Sequence, residues 1–382
     1  MFYNYRVRSL TSRPIGLYVH FPFCRAKCPY CHFASVPFRE DLREKWFEGL
    51  EKEVARHAPE GFRADTLYIG GGTPSLLGPG DIGRMLEALR AGFRPELVEF
   101  TLEANPDIQA APPLEGWRDA GVTRLSIGAQ SFDDRILGVL GRTHTARRAG
   151  DLVRGARRAG FPVVGIDLMI GVPTETPDSL RRTMSAVADL GPDHVSLYIM
   201  ENLEGLPFEA FARAHPMEDD AAADAYEFMR EELESVGLRM YEISNFAREG
   251  AECLHNLKYW RYEPFLGLGP SACSHIGAVR WCNKPAIEDW AAGLASGGDP
   301  RGEVRELTPE AGLREALISG LRTVRGVRAR ELEERFGIDV LEMFRREIGE
   351  LRNEGLLAVE EGRLRIPGDK LLISNAVLSR FV

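Results

Sequence analysis

The chain has 382 residues, 44% of them hydrophobic, enough to bury a large core and to build two domains or one barrel with an appendage. Its 48 basic residues stand against 57 acidic ones, a net charge of −9, which disfavours a nucleic-acid groove as the main function. No apolar run approaches the roughly 18 residues of a membrane span, and the N-terminal "MFYNYRVRSLTSRP" lacks the apolar centre of a secretion signal. The expectation is a cytoplasmic protein with no transmembrane segment and no nucleic-acid partner, peripheral contact with a membrane being left open. In a reducing compartment, clustered cysteines more often bind metal or do chemistry than form disulfides.

In chain order, six short β-rich runs recur: LYVHF (17–21), TLYIG (66–70), LVEFTLEA (97–104), RLSIGAQ (124–130), VVGIDLMIG (163–171) and HVSLYIM (194–200). Helix-like stretches lie between them, among them LREKWFEGLEKEVARH, GDIGRMLEALRAGF and SLRRTMSAVADLG. Strand and helix alternating in this way predict right-handed βαβ units and a parallel sheet. Six strands are too few to close an eight-stranded barrel, so the fold class is α/β, an open partial (β/α)6 barrel with a side able to admit a large substrate.

The pattern changes after residue 240. Residues 241–303 carry aromatics and turns and read as a connecting region, with ASGGDPRGE (295–303) as a linker. From 304 to 382 come three helix-like segments, PEAGLREALISGLRTV, RARELEERFG and LEMFRREIGELRNEGLL, then LAVEEGRLRIP, which alternates like a hairpin. These predict a small α+β domain resembling a winged helix, read as packing or substrate cover because it shows no obvious basic recognition face.

Three of the six cysteines fall in FPFCRAKCPYCHF, spaced Cys24-x3-Cys28-x2-Cys31 just after the first strand. Thiolates are the ligands of iron–sulfur clusters, and three of them leave one iron of a cubane open to a small molecule. Phe21, Pro22, Phe23, Pro29, Tyr30 and Phe33 would shield such a cluster from water. A Cys3His zinc site completed by His20 or His32, and inert buried thiols, are the competing readings.

In a parallel barrel, function sits at the C-terminal ends of the strands. The second run ends in Gly70-Gly71-Gly72-Thr73-Pro74-Ser75, where backbone can approach a ligand closely; no Lys follows as a phosphate loop requires. The third ends at Glu103-Ala104-Asn105, the fourth at Gln130, with Arg142 beyond it. Asp167 lies inside an apolar run and, if buried, needs a partner. Each alone reads as a satisfied structural group; together they point to a site for a zwitterionic, ribose-bearing ligand.

CRAKCPYC resembles the CxxxCxxC loop of radical S-adenosylmethionine (SAM) proteins, and GGGTPS resembles their glycine-rich motif. YVHFPFC, YIGGGTPS, EANP, GAQSF, LGRTHT and IDLMIGVP are similar, over nearly the whole chain, to the branch that holds oxygen-independent coproporphyrinogen III oxidases and HemW-type heme chaperones. The resemblance implies a 4Fe–4S cluster on Cys24, Cys28 and Cys31. It implies SAM on its open iron, contacted by Tyr18, Tyr30, Gly71, Gly72, Thr73, Glu103, Gln130, Arg142 and Asp167.

Within that branch the oxidases carry a fourth cysteine where this chain has Phe33, and the chaperones carry an HNxxYW motif, here His255 to Trp260. The chaperone is therefore the leading reading, with heme, a heme-acceptor protein and an electron donor as implied partners. A decarboxylating oxidase or a related radical-SAM methyltransferase is the runner-up. His255 is the implied heme ligand, with Tyr259 and Trp260 packing on the macrocycle; a core histidine bonded to a nearby carbonyl is the competing reading. The chaperones usually read GAHS where this chain has Ala272-Cys273-Ser274, so Cys273 replaces a histidine for which His275 is a candidate substitute. Cys253, Cys273 and Cys282 near His255 raise a second metal site, against the commoner reading of scattered thiols.

Overall fold

A computed structural model describes residues 13–106, 113–200, 204–217, 219–295 and 297–382. The reading of the first residues as free of a secretion signal lies almost wholly outside them. The expected strands are present as β1 (Ile15–Phe21), β2 (Arg63–Gly71), β3 (Arg94–Ala104), β4 (Arg124–Gln130), β5 (Val163–Ile170) and β6 (His194–Ile199). They run parallel in that spatial order.

Why the strands curl round a polar interior is visible in their alternation. Leu17, Val19, Leu67, Ile69, Phe100, Leu102, Leu125, Ile127, Val164 and Ile166 are almost fully buried in one apolar cluster with Trp46, Phe47 and Met85 of the covering helices. The intervening positions hold Tyr18, Tyr68, Glu99, Glu103, Arg124, Ser126, Asp167 and Ser196; across strands, Tyr68 bonds Glu103, Arg124 bonds Glu99, and Asp167 bonds Ser126 and Ser196. With a side-chain period of two, a strand that gives one face to the helices gives the other to the interior. The helices begin where the sequence supplies caps: Thr145 accepts from Arg148 N and Thr176 from Ser179 N.

Residues after 240 do more than connect. β7 (Arg239–Glu242) and β8 (Asn245–Ala247) extend the sheet beyond β6. β9 (Phe265–Leu268), β10 (Cys273–Ile276), β11 (Val279–Asn283) and β12 (Arg301–Glu306) extend it beyond β1. The result is a 12-stranded open sheet ordered β12-β11-β10-β9-β1-β2-β3-β4-β5-β6-β8-β7. The linker reading of 295–303 is corrected: β12 starts at Arg301, so a division at 303/304 would cut a strand. Its residues look linker-like because an edge strand exposes charged side chains.

The last segment folds as expected, with helices Pro309–Leu321, Ala329–Phe336 and Arg345–Asn353 and an antiparallel pair Ala358–Glu360 with Arg363–Arg365. Its own core includes Leu313, Leu317, Leu332, Leu351, Leu364 and Phe381. It meets the barrel at Tyr262, whose ring lies 4.2 Å from His275 and carries Arg335 and Arg280 at 4.8 and 5.2 Å. Among the described residues no helix is long and apolar enough to cross a membrane.

Candidate functional site

The cysteine loop leaves β1 and is closed by a short parallel pairing of Phe23–Cys24 with Val36–Pro37. The glycine-rich stretch is stitched to its start: Gly72 N donates to Phe21 O and Thr73 N to Phe23 O, each at 2.8 Å. A Cβ on Gly72 would lie 2.5 Å from the Phe23 carbonyl oxygen, and Gly71 has φ +115°, a region side chains avoid. These glycines therefore bring the two loops together.

Polar side chains reach the thiols from both sides. Thr73 Oγ1 donates to Cys24 Sγ at 3.4 Å, and Arg142 Nη1 donates to Cys28 Sγ at 3.4 Å. Tyr30 hydrogen-bonds both Arg142 and Cys28 and packs edge-on against Phe208. Cys24 is buried, while Cys28 and Cys31 are half-buried. Burial pushes the Cys31 thiol up, and repulsion from Cys28 and Cys24 adds to it.

Among the described residues no three His, Cys, Asp or Glu side chains close on a point that a single ion could occupy. His20 has both nitrogens in use, Nε2 on Ala34 O at 2.8 Å and Nδ1 on the Tyr18 hydroxyl at 3.1 Å. That geometry does not suit the zinc reading. A cubane takes its thiolates on separate irons, so three thiols spread along one loop with donors beside them fit it.

On the inner face of the sheet, two carboxylates lie close enough to repel each other. Glu103 accepts from Tyr68 OH at 2.9 Å and from Gly71 N at 3.2 Å. Asp167 accepts from Ser126 Oγ at 2.9 Å and bonds Ser196. The partner expected for Asp167 is thus a pair of hydroxyls rather than a cation. Burial, then repulsion from Asp167, pushes Glu103 up to about 7; burial raises Asp167 as well. Gln130 ends β4 in the left-handed region at φ 65°, beside a register shift between β4 and β5. Arg142 crosses the top of the barrel to Gly128 O at 3.1 Å and to Asn105 Oδ1. Tyr18, Tyr30, Gly71, Gly72, Thr73, Glu103, Gln130, Arg142 and Asp167 thus line one end of the sheet beside the three cysteines. Two half-buried acids bonded to hydroxyls and an amide, with Arg142 near one of them, suit a ligand that brings positive charge and hydroxyl groups, as SAM does.

Sequence reasoning missed Tyr68 and Ser126. Tyr68 was readable from the alternation of TLYIG, which turns it to the same face as Thr66.

The HNLKYW segment lies below this layer. Helix Leu254–Trp260 plugs the other end of the barrel, its start held by Glu99, which accepts from His255 N at 2.9 Å and Leu254 N at 3.1 Å. Glu99 also pairs with Arg124 at 2.9 Å, both side chains being at most 6% exposed. Glu99→Ala is expected to cost about 3–5 kcal/mol in denaturant unfolding, because it strands a buried guanidinium. A loss below about 1 kcal/mol would contradict this anchoring.

His255 is 0% exposed. Nδ1 bonds Thr66 Oγ1 at 2.9 Å and Nε2 bonds Tyr259 OH at 2.8 Å. Burial pulls it down to about 3, with Lys258 adding, so the ring is neutral. It therefore presents no free nitrogen to a ligand in this conformation, and its partners are hydroxyls rather than the carbonyl of the competing reading. Tyr259 packs on Phe265 at 4.6 Å and Trp260 under Arg322 at 5.4 Å, so the ring faces expected to hold a macrocycle have protein partners. Tyr68 stands between the layers, its ring 5.4 Å from His255.

The idea of a second metal site is corrected. Cys273 and Cys282 face each other on β10 and β11 and form a disulfide, and Cys253 is a separate buried thiol against Glu99. The disulfide also departs from the expectation for a reducing compartment. His275 does not substitute for the replaced histidine: it is 1% exposed, bonds Gly277 O at 3.0 Å and faces Tyr262.

Comparison with known proteins places the chain in a family. Residues 18–187 match the Radical SAM superfamily model and 307–368 the HemN C-terminal domain model. The chain is 31% identical over 375 residues to "Heme chaperone HemW" of Bacillus subtilis, covering 96% of this chain and 98% of that one. It is 33% identical over 379 residues to the Mycobacterium tuberculosis protein of the same name, covering 97% and 95%. The Bos taurus "Radical S-adenosyl methionine domain-containing protein 1, mitochondrial" is 33% identical, with 96% and 87% covered. Among solved structures, coproporphyrinogen III oxidase (HemN) from Escherichia coli superposes with a TM-score of 0.87 at 23% identity, covering 100% of this chain and 93% of that one, a likeness of fold. The chain belongs to the HemW family of the radical SAM superfamily.

Proposed function

We propose that this protein is a heme chaperone: it binds heme and passes it unchanged to an acceptor protein, and it carries a 4Fe–4S cluster and SAM. The observation that carries the reading is the full-length likeness to relatives named heme chaperones, in a chain that keeps the cysteine loop intact. Cys24, Cys28 and Cys31 would hold the cluster, and Glu103 and Asp167 would receive the charged and ribose groups of SAM. The cluster, when bound, supplies one-electron reducing power to SAM. The chain's own residues then have clear tasks. Thr73 and Arg142 donate to the thiolate sulfurs and stabilise their charge. Phe21 and Phe23, both 0% exposed, keep water from one side. Gly71 and Gly72 keep the SAM side of the loop within backbone reach.

The reading includes a cytoplasmic setting and an electron donor that approaches at the cysteine loop, where Phe33 is 66% exposed. The decarboxylating alternative draws on fold likeness alone. The test is transfer: hemin-loaded, cluster-loaded protein is mixed with a heme-free hemoprotein, and the Soret band is followed as the two are separated. Heme is expected to appear on the acceptor unaltered. Heme retained by the chain, or lost at the same rate to free solution, would count against a chaperone.

Heme ligation by His255 belongs to this proposal and requires the ring to leave Thr66 or Tyr259. His255→Ala is expected to weaken hemin binding by about tenfold or more while the cluster absorbance stays. Tyr259→Phe, which frees Nε2, is expected to tighten it. Unchanged affinity and spectrum in both variants would remove His255 from the role.

A further inference from the structure

Cys273 and Cys282 lie on a particular face of the sheet. Their neighbour Trp281 turns to the helix side, where it joins the main core and stacks on His57 at 6.4 Å. Alternation then turns the two cysteines to the opposite face, which carries Tyr18 and Tyr68. The register agrees. Tyr18 pairs with Gly267, and Phe265 pairs with His275, which brings Gly267 level with Cys273. A Cβ on Gly267 would lie 2.2 Å from the Cys273 carbonyl oxygen, so the Cys273 backbone crosses directly against Gly267, which only glycine allows. Tyr18, Gly267, Cys273 and Cys282 thus form one row across four adjacent strands. Cys273 is exposed and Cys282 half-buried.

We propose that this pair is a redox-controlled heme ligand, closed as the disulfide and open as the dithiol, with Cys273 as the thiolate that takes the iron. The inference rests on the heme-chaperone reading and deepens it. Thiolate is an established axial ligand of heme iron, whereas a disulfide sulfur has no charge to offer. Cys273 is accessible on the concave face; His255 and His275 are at most 1% exposed.

The chemistry balances as follows. A dithiol reductant, protein or small molecule, gives two electrons and two protons to the disulfide and leaves as its own disulfide, so that Cys273 and Cys282 become thiols. Ferric heme iron then binds Cys273 as thiolate, and the thiol proton passes to solvent. Reoxidation by a disulfide reverses both steps and releases the heme.

The test uses cluster-loaded full-length protein and hemin, with the oxidised form compared to one reduced by a small dithiol that is then removed. Binding is read from the ferric electron paramagnetic resonance signature of thiolate ligation and from the Soret band of the ferrous carbonyl adduct. Reduced wild type and Cys282→Ser are expected to show thiolate ligation. Oxidised wild type and Cys273→Ser are expected to lack it and to bind hemin on the order of tenfold more weakly. If a serine variant loses its cluster, alkylation of the reduced wild type, located by mass, gives the same comparison without a substitution. Equal affinity and spectrum in oxidised, reduced and Cys273→Ser protein overturns the proposal and leaves the chaperone reading standing. Hemin bound by none of them overturns both.

Discussion

Replacing Cys24, Cys28 and Cys31 together with alanine is expected to bleach the protein. Prepared without oxygen, the wild type is expected to be brown and to carry about four irons per chain, the content of one cubane. Cys24 and Cys28 have donors from Thr73 and Arg142 beside them, and the loop is tied at both ends by backbone bonds. Cluster loss should therefore leave the fold in place: the alanines keep the loop's backbone ties, and Phe21 and Phe23, its contribution to the main core, are not replaced. Iron and sulfide analysis beside a far-ultraviolet spectrum checks both halves. Iron retained by the triple variant would sink the assignment.

Affinity of the cluster-loaded protein for SAM is expected to rise from about pH 6 to about pH 8 and then level off. Burial, followed by repulsion from Asp167, holds Glu103 at about 7. SAM carries a sulfonium and an ammonium, so it favours the ionised carboxylate. Below about pH 7 binding must release a proton from Glu103, which weakens affinity by up to about tenfold per pH unit. Glu103→Gln should flatten this profile and weaken binding above pH 7 by about 1–3 kcal/mol. The unliganded protein should show the opposite trend. A carboxyl raised in the folded state contributes most to stability below its unfolded value near 4.5 and loses that contribution as pH climbs through about 7. Glu53 and Glu175, also raised to about 7, contribute in the same direction, so Glu103→Gln removes only part of the slope. A SAM affinity equally flat in wild type and variant would show that Glu103 does not face the ligand's charge.

The barrel strands and the loops at their ends were legible because their signals are local. Apolar alternation over a few residues marks β1 to β6, and the cysteine and glycine spacings lie within single loops. What was not legible depends on partners far apart in the chain. Phe265–Leu268 is a four-residue run, and only its pairing with Ile15–Phe21 makes it a seventh parallel strand of the sheet. Arg301–Glu306 reads as linker because an edge strand carries exposed charges. Cys273 and Cys282 are nine residues apart, a spacing that means nothing until an antiparallel register sets them opposite each other. His255 looked like a ligand because its motif is local, while its actual partner Thr66 lies 189 residues away.

The most direct measurement offers the cluster-loaded protein two tetrapyrroles under the same anaerobic conditions, with SAM and a low-potential reductant present. Hemin and coproporphyrinogen III are added separately, and each is recovered and identified by mass after incubation. The account predicts that hemin is bound and recovered unchanged, and that coproporphyrinogen III keeps all its carboxyl groups. Coproporphyrinogen III losing carbon dioxide, with hemin left unbound, would contradict it and make the chain an oxidase.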